Sequence, residues 1–231
     1  MTELKDASIL VVGASGGLGQ AISRLLADRG ARLALSARSI DRLRATGIEG
    51  HPVVVDLREP EAAERVVSEA EQALSGLTGV VYAAGVVAFG AVGELDDDDV
   101  DELLLLNYLA PARIVAAALP RLGAGGFVAN LSAVVAEQPT MRMAAYSASK
   151  AALTAFDRVA LLEARRRDIR VIDMRPPHTE TGLAGRPIAG QSPKLPPGLD
   201  PADVAARVVE ALAGDEIDLP TEAFTARTDQ D

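Results

Sequence analysis

Short apolar runs alternate along this chain with longer stretches of helical spacing, and that alternation limits the fold more than any other feature. The runs lie at 9–12, 32–35, 53–55, 79–83, 127–131 and 169–174. Helical spacing fills 17–29, 39–45, 60–75, 97–121, 145–166 and 201–213. Continuous apolar strands separated by helices predict a parallel sheet covered on both faces. Right-handed crossovers then wind the sheet both ways from a central switch point. The expected fold is α/β, a single Rossmann-like doubly wound domain over 1–231. Residues 185–200, rich in Pro and Gly, read as a loop on the ligand side. A substrate loop is expected over about 179–200 and a polar tail over about 220–231.

Charge and composition narrow the partners. There are 33 acidic and 23 basic residues, a net charge of −10, which argues against a nucleic-acid or anionic-membrane surface. The dense basic cluster Arg165–Arg167 falls at an expected helix C-terminus, where it complements the helix dipole. The acidic run at 96–99 suits a helix start better than a metal site, because four consecutive carboxylates cannot converge on one ion. Cysteine is absent, so disulfides, thiolate metal sites and cysteine nucleophiles are excluded. The first residues lack the layout of a signal peptide, and no run reads as a membrane span. A cytoplasmic protein is expected.

The first apolar run leads directly into Gly13-Ala-Ser15-Gly16-Gly17-Leu18-Gly19 and then a helix. Glycines permit positive φ and close approach of a phosphate to the backbone. N–H groups at the helix start, with the helix dipole, can hold a pyrophosphate. The second run ends in Ala37 and Arg38, where dinucleotide sites selecting NAD carry an acid. An acid would repel a 2′-phosphate, whereas an arginine can pair with it, so NADP(H) is expected over NAD(H).

Tyr146 and Lys150 form a Y-x-x-x-K pair, one helical turn apart. Such positions share a helix face, with Cβ atoms about 5–6 Å apart. A nearby ammonium favours phenolate and lowers a pKa that is ordinarily about 10. On these grounds Tyr146 is expected to exchange a proton with a substrate oxygen near neutral pH.

Taken in order, these motifs resemble the short-chain dehydrogenase/reductase family from Ser8 to Thr181. Gly13, Gly17 and Gly19 match its glycine loop, and Asp56-Leu57 falls where the family meets the adenine. Ala83-Ala84-Gly85 resembles the end of its N-N-A-G turn, and Asn107 its active-site asparagine. Pro176 to Thr181, with Thr179 between, resembles the loop over the nicotinamide. The resemblance implies hydride transfer between nicotinamide and a carbonyl or alcohol carbon. It gives Lys150 the nicotinamide ribose, Ser132 the substrate oxygen, and Asn107 a water that relays protons. It also implies a homodimer, or a tetramer. A non-catalytic NADP(H)-binding regulator on the same fold, or a non-redox scaffold, are the other readings.

Several positions depart from the family. Val12 stands where threonine is usual, and Tyr82 and Ala83 where the turn has asparagines; an apolar contact is expected in place of a polar one. Ser132 precedes Tyr146 by fourteen residues, while the commonest spacing is one shorter and falls on Ala133. Either the loop has one extra residue or the serine is missing; its place at a strand end favours Ser132. Pro177 replaces a glycine, and His178 is either a substrate contact or a solvated loop residue. His51, before Pro52, reads as structural. The substrate pocket is expected after the fourth, fifth and sixth strands, lined by Val86, Val87, Phe89, Met141, Met143 and Leu183. A small carbonyl or alcohol of apolar character follows, with Arg142 or Arg186 as the available cations.

Overall fold

The computed structural model describes residues 2–225. Its strands are β1 Ser8–Val12, β2 Arg32–Ala37, β3 His51–Val54, β4 Leu77–Tyr82, β5 Leu122–Leu131, β6 Arg170–Met174 and β7 Asp218–Leu219. Its helices are α1 Gly17–Asp28, α2 Ile40–Arg44, α3 Ala62–Leu74, α4 Asp97–Leu104, α5 Ala110–Ala118, α6 Ala144–Ala164 and α7 Pro201–Ala213. The strands form one sheet in the order β3-β2-β1-β4-β5-β6-β7, every pairing parallel. The order reverses between β1 and β4, so the carboxyl ends of those two strands open the crevice where ligands bind in such sheets.

Strand alternation divides the core. Ile9, Val11, Val81, Phe127, Ile172 and Met174 face α1 and α7, whose Ile22, Leu26, Val208 and Leu212 are fully buried against them. Leu10, Val12, Val80, Val128 and Val171 face the other way, toward α3, α5 and α6. A third apolar cluster sits beyond the carboxyl ends and gathers Val87, Phe89, Leu103, Val135, Met143 and Tyr146. Each fully buried large aliphatic side chain contributes about 1.5–3 kcal/mol, so three connected clusters suffice for a chain with few aromatics.

Expected elements and observed ones agree closely, with four corrections. β5 starts at Leu122 rather than 127, with a register irregularity opposite Leu77 and Gly79. Gly123, Gly125 and Gly126 gave this stretch no apolar signal. The long helix expected at 97–121 is interrupted: Leu105–Leu109 forms a π-helical turn between α4 and α5. By length and composition, Asp97–Arg121 also passes as a membrane span, contrary to expectation. Leu103, Leu106, Ile114 and Val115 are buried, and the helix packs on α3 and α6. Finally, Thr221–Phe224 is a 3-10 turn with Phe224 buried, so the polar tail does not begin at 220. Residues 226–231 of that tail lie outside the described residues.

Candidate active site

A cavity of about 550 Å³ opens along the carboxyl ends of β1, β2, β4 and β5. At one end stand Tyr146, Lys150, Ser132 and Leu131; at the other stand Arg38, Arg42, Asp56, Leu57 and Arg58. Gly13, Ser15, Gly16, Gly17 and Leu18 form the floor between them, with Ala83, Ala84, Gly85, Pro176 and Thr181 on the walls. Gly13 has φ +84°, and a Cβ there would lie 2.7 Å from the Ala84 nitrogen. A Cβ on Gly17 would lie 2.5 Å from the Thr181 Cβ. Only glycine lets the two turns and the loop after β6 meet this closely. Helix α1 starts here behind Gly16, with no side chain capping its N–H groups. The cradle therefore suits an elongated anionic cofactor.

Three expected residues do not reach the cavity wall. Gly19 packs the helix onto the loop instead: a Cβ there would lie 2.1 Å from the Gly13 carbonyl oxygen. Thr179 turns its hydroxyl to the Pro177 carbonyl (2.9 Å) and pairs with Leu199. Asn107 is fully buried in the π turn. Its Oδ1 accepts from Val86 N (3.0 Å), while its Nδ2 donates to Val86 O (3.0 Å) and Ser149 Oγ (3.1 Å). A Cβ on Gly85 would meet Asn107 Oδ1 at 3.0 Å and Lys150 Nζ at 3.6 Å, so Gly85 separates the two. The asparagine thus ties the turn after β4 to α6 from behind the site.

Tyr146 and Lys150 are both buried. Lys150 Nζ donates to the Leu131 carbonyl (2.8 Å), which fixes it at the end of β5. Burial lowers its pKa to about 8 against the opposing pull of Asp173 and Asp157. The expectation that the ammonium lowers the Tyr146 pKa is corrected: burial pushes the phenol up to about 12. Desolvation disfavours the charged phenolate. Ser132 lines the cavity, but its hydroxyl donates to the Lys150 carbonyl (3.0 Å) and accepts from Thr154 Oγ1 (3.1 Å). Its proton is directed at α6.

At the far end, Arg58 is clamped. It bridges Asp56 (3.2 Å) and both carboxylate oxygens of Glu102, whose pKa it lowers. Among the described residues, neither Arg38 nor Arg42 has an ion-pair partner, and both side chains are exposed at the cavity mouth. Arg42, on the first turn of α2 just past Arg38, was missed by sequence reasoning; its signal was a second arginine in the short helix that follows β2.

Tyr82 also departs from expectation. Its phenol donates to the Leu106 carbonyl (2.6 Å), a polar contact that serves the π turn. On the substrate side, Val86 and Leu183 reach the cavity, while Val87, Phe89 and Met143 are buried beside it. Met141 is 87% exposed and lines nothing. The loop after β6 is pinned over residues 87–89 by Ile188 N to Val87 O (2.9 Å) and Phe89 N to Ala189 O (3.0 Å). His178 lies 3.5 Å from Glu180, which also accepts from Gly198 N (2.8 Å), so it braces this loop. Arg142 pairs with Glu94 (3.1 Å) across the rim.

Residues 7–190 match the family model described as short chain dehydrogenase. The chain belongs to the short-chain dehydrogenase family. A short chain dehydrogenase of Pseudocercospora fijiensis is 33% identical over 165 residues, which are 67% of this chain and 53% of that protein. This short-chain dehydrogenase therefore spans about half the length of that fungal relative. An uncharacterized oxidoreductase of Staphylococcus aureus is 28% identical over 219 residues, covering 92% of this chain and 93% of the relative. The solved short chain dehydrogenase from Burkholderia cenocepacia J2315, in complex with NADP, superposes with a TM-score of 0.84 at 27% identity. That match covers 95% of this short-chain dehydrogenase and 97% of the solved chain.

Proposed function

We propose that the protein transfers a hydride between NADP(H) and a carbonyl or alcohol carbon, with Tyr146 as general acid and base. One observation carries this reading: a single cavity joins the Tyr146–Lys150 pair to the glycine cradle and the Arg38–Arg42 mouth. Gly13 to Leu18 would hold the pyrophosphate, Leu57 and Asp56 would flank the adenine, and Lys150 the nicotinamide ribose. Ala83, Ala84, Gly85, Pro176 and Thr181 shape the walls. When bound, the nicotinamide donates or accepts the hydride. Tyr146 Oη gives a proton to the substrate oxygen or takes one from it. The positive charge that a bound oxidised cofactor brings would counter the burial that now holds the phenol up. Ser132 is assigned to the substrate oxygen, its proton turned from the Lys150 carbonyl to that oxygen while Thr154 goes on donating to it. Asn107 acts by holding the turn after β4 in place.

Arg38 and Arg42 support NADP(H): among the described residues neither is in an ion pair, and Ala37 puts no acid at the end of β2. The NADP found in the Burkholderia relative agrees with this preference. The substrate is a small apolar carbonyl or alcohol entering beside Val86 and Leu183. Exposed Leu109, Val159 and Leu162 on the π turn and α6 offer an apolar face for a homodimer. Fluorescence titration with NADPH and NADH, followed by a carbonyl and alcohol panel read at the NADPH absorbance band, tests the whole reading. Saturable NADPH binding and turnover of at least one member are expected; no binding of either nucleotide rejects it.

The inward hydroxyl of Ser132 favours a second reading, a non-catalytic NADP(H)-binding regulator. Turnover that is lost in Tyr146→Phe while NADPH binding persists excludes it.

A further inference from the structure

Behind the inner end of the cavity, the sheet face toward α6 stops being apolar. Asn130 on β5 is the register partner of Asp173 on β6, and both face α6 beside Val128 and Val171. Helix α6 lays Thr154 and Asp157 over them. Asn130, Asp157 and Asp173 are at most 2% exposed. Asn130 Nδ2 donates to Asp157 Oδ1 (2.7 Å), and Arg175 Nη1 donates to Asp173 Oδ2. Three buried oxygens are then left with no donor: Asn130 Oδ1, Asp157 Oδ2 and Asp173 Oδ1.

With both carboxyls ionised, this cluster holds more acceptors than donors. An ionised carboxylate only accepts, and an unmet buried acceptor costs about 1–3 kcal/mol, more when charged. A proton on Asp157 Oδ2 turns that atom into a donor, for which Asp173 Oδ1 and Asn130 Oδ1 are the open acceptors of this cluster. Two buried acids at one site ordinarily hold a proton between them, because the second ionisation repels the first. Burial raises Asp157 well above the carboxylate range and raises Asp173 as well, and the Asp173 charge raises Asp157 further.

We infer that Asp157 and Asp173 share one proton as a buried acid pair, and that the pair's single negative charge keeps Lys150 charged in the cavity wall. The groups facing the pair are Lys150 on α6, Arg175 just after β6 and Asp218 on β7, with Glu137 reached through Arg175. Arg175 is shared among Asp173, Asp218 (2.7 Å) and Glu137. Lys150 feels both aspartates and has only the neutral Leu131 carbonyl as a hydrogen-bond partner. Beside the pair, Thr154 donates to Ser132 and Ser132 to the Lys150 carbonyl. Asp157 and Asp173 are thus positioning residues that act through Lys150. Their importance for turnover rests on the oxidoreductase reading; their proton does not.

The test is an NMR titration of aspartate carboxyl carbons and the Lys150 Nζ in wild type, Asp157→Asn, Asp173→Asn and the double variant. In wild type, one of the two carboxyls stays protonated through neutral pH while the other is ionised. Each single variant keeps one charge and leaves the Lys150 titration in place. The double variant removes the charge, and Lys150 deprotonates about one pH unit lower, a tenfold change. Two ionised carboxyls in neutral wild type overturn the shared proton, whether or not any variant folds. A double variant whose Lys150 titrates as in wild type overturns the charge role. Failure of NADPH to bind would reject the functional reading and leave these titrations unaffected.

Discussion

At the scale of single residues, the site depends on side chains that are absent as much as on those present. Gly13 needs its positive φ and also the space that the Ala84 nitrogen occupies, so Gly13→Ala meets strain and a clash together. Strain of the first kind costs about 1–2 kcal/mol, and the clash pushes the Ala83–Ala84 turn out of the cavity wall. The variant should melt several degrees lower and bind NADPH weakly or not at all; unchanged binding in a titration would contradict the cradle. Arg38 and Arg42 give the opposite case, charged side chains at a cavity mouth with no ion-pair partner among the described residues. A hydrogen bond to a charged group contributes about 1.5–3 kcal/mol. Arg38→Ala should therefore weaken NADPH roughly tenfold to a hundredfold and leave NADH nearly unchanged, as read by parallel fluorescence titrations. Tyr146→Phe removes the acid–base group and should lower turnover by roughly a hundredfold to ten-thousandfold. NADPH affinity should change little, since the glycine cradle, Lys150 and the arginines at the mouth remain in place.

At the scale of elements, the π turn at Leu105–Leu109 organises the back of the site. Asn107 reaches from it to both backbone groups of Val86, and Tyr82 reaches into it from β4 to bond the Leu106 carbonyl. Tyr82→Phe keeps the ring and orphans that carbonyl in a fully buried place. A cost of about 1–3 kcal/mol is expected, measured by denaturant unfolding, with NADPH binding weakened if the turn shifts Val86. Unchanged stability would mean that the carbonyl finds another donor. The sequence could show Asn107 and its likeness to a family position, but not the π turn, because the apolar spacing of 97–121 is that of an uninterrupted helix. Strand and helix positions were legible because parallel strands buried on both faces are continuous apolar runs. The acid pair was visible only faintly: Asn130, Ser132, Asp173 and Arg175 break the α6-facing alternation at the ends of β5 and β6. Separate elements supply them, so only the register of β5 on β6 brings Asn130 beside Asp173. Thr179 and Gly19 show the converse, since family spacing named them and local backbone geometry turned them away.

Across the whole molecule, buried charge makes stability depend on pH in opposite directions. Glu102 and Glu137 are held below the ordinary carboxylate range, Glu102 chiefly by its hydrogen bond to Arg58 and Glu137 by Arg175 and Thr221 against the cost of burial. Their contribution is present above the unfolded carboxylate value, about pH 4, and is lost as pH falls through the lower folded value. Asp157 runs the other way. Its folded pKa is raised, so the folded protein binds the proton more tightly than the unfolded chain does. Its contribution is therefore complete below about pH 4 and declines as pH rises toward the raised folded value. Asp157→Asn removes that loss, because the amide N–H can replace the acid O–H as the donor to Asp173 without titrating. Thermal melts of wild type and Asp157→Asn should nearly coincide near pH 4, and the variant should become progressively the more stable of the two toward and beyond neutral pH. A constant difference at every pH would show that Asp157 titrates at the same pH folded and unfolded. A gap that grows on the acid side instead would show that the carboxylate, and not the acid, is the form the fold prefers.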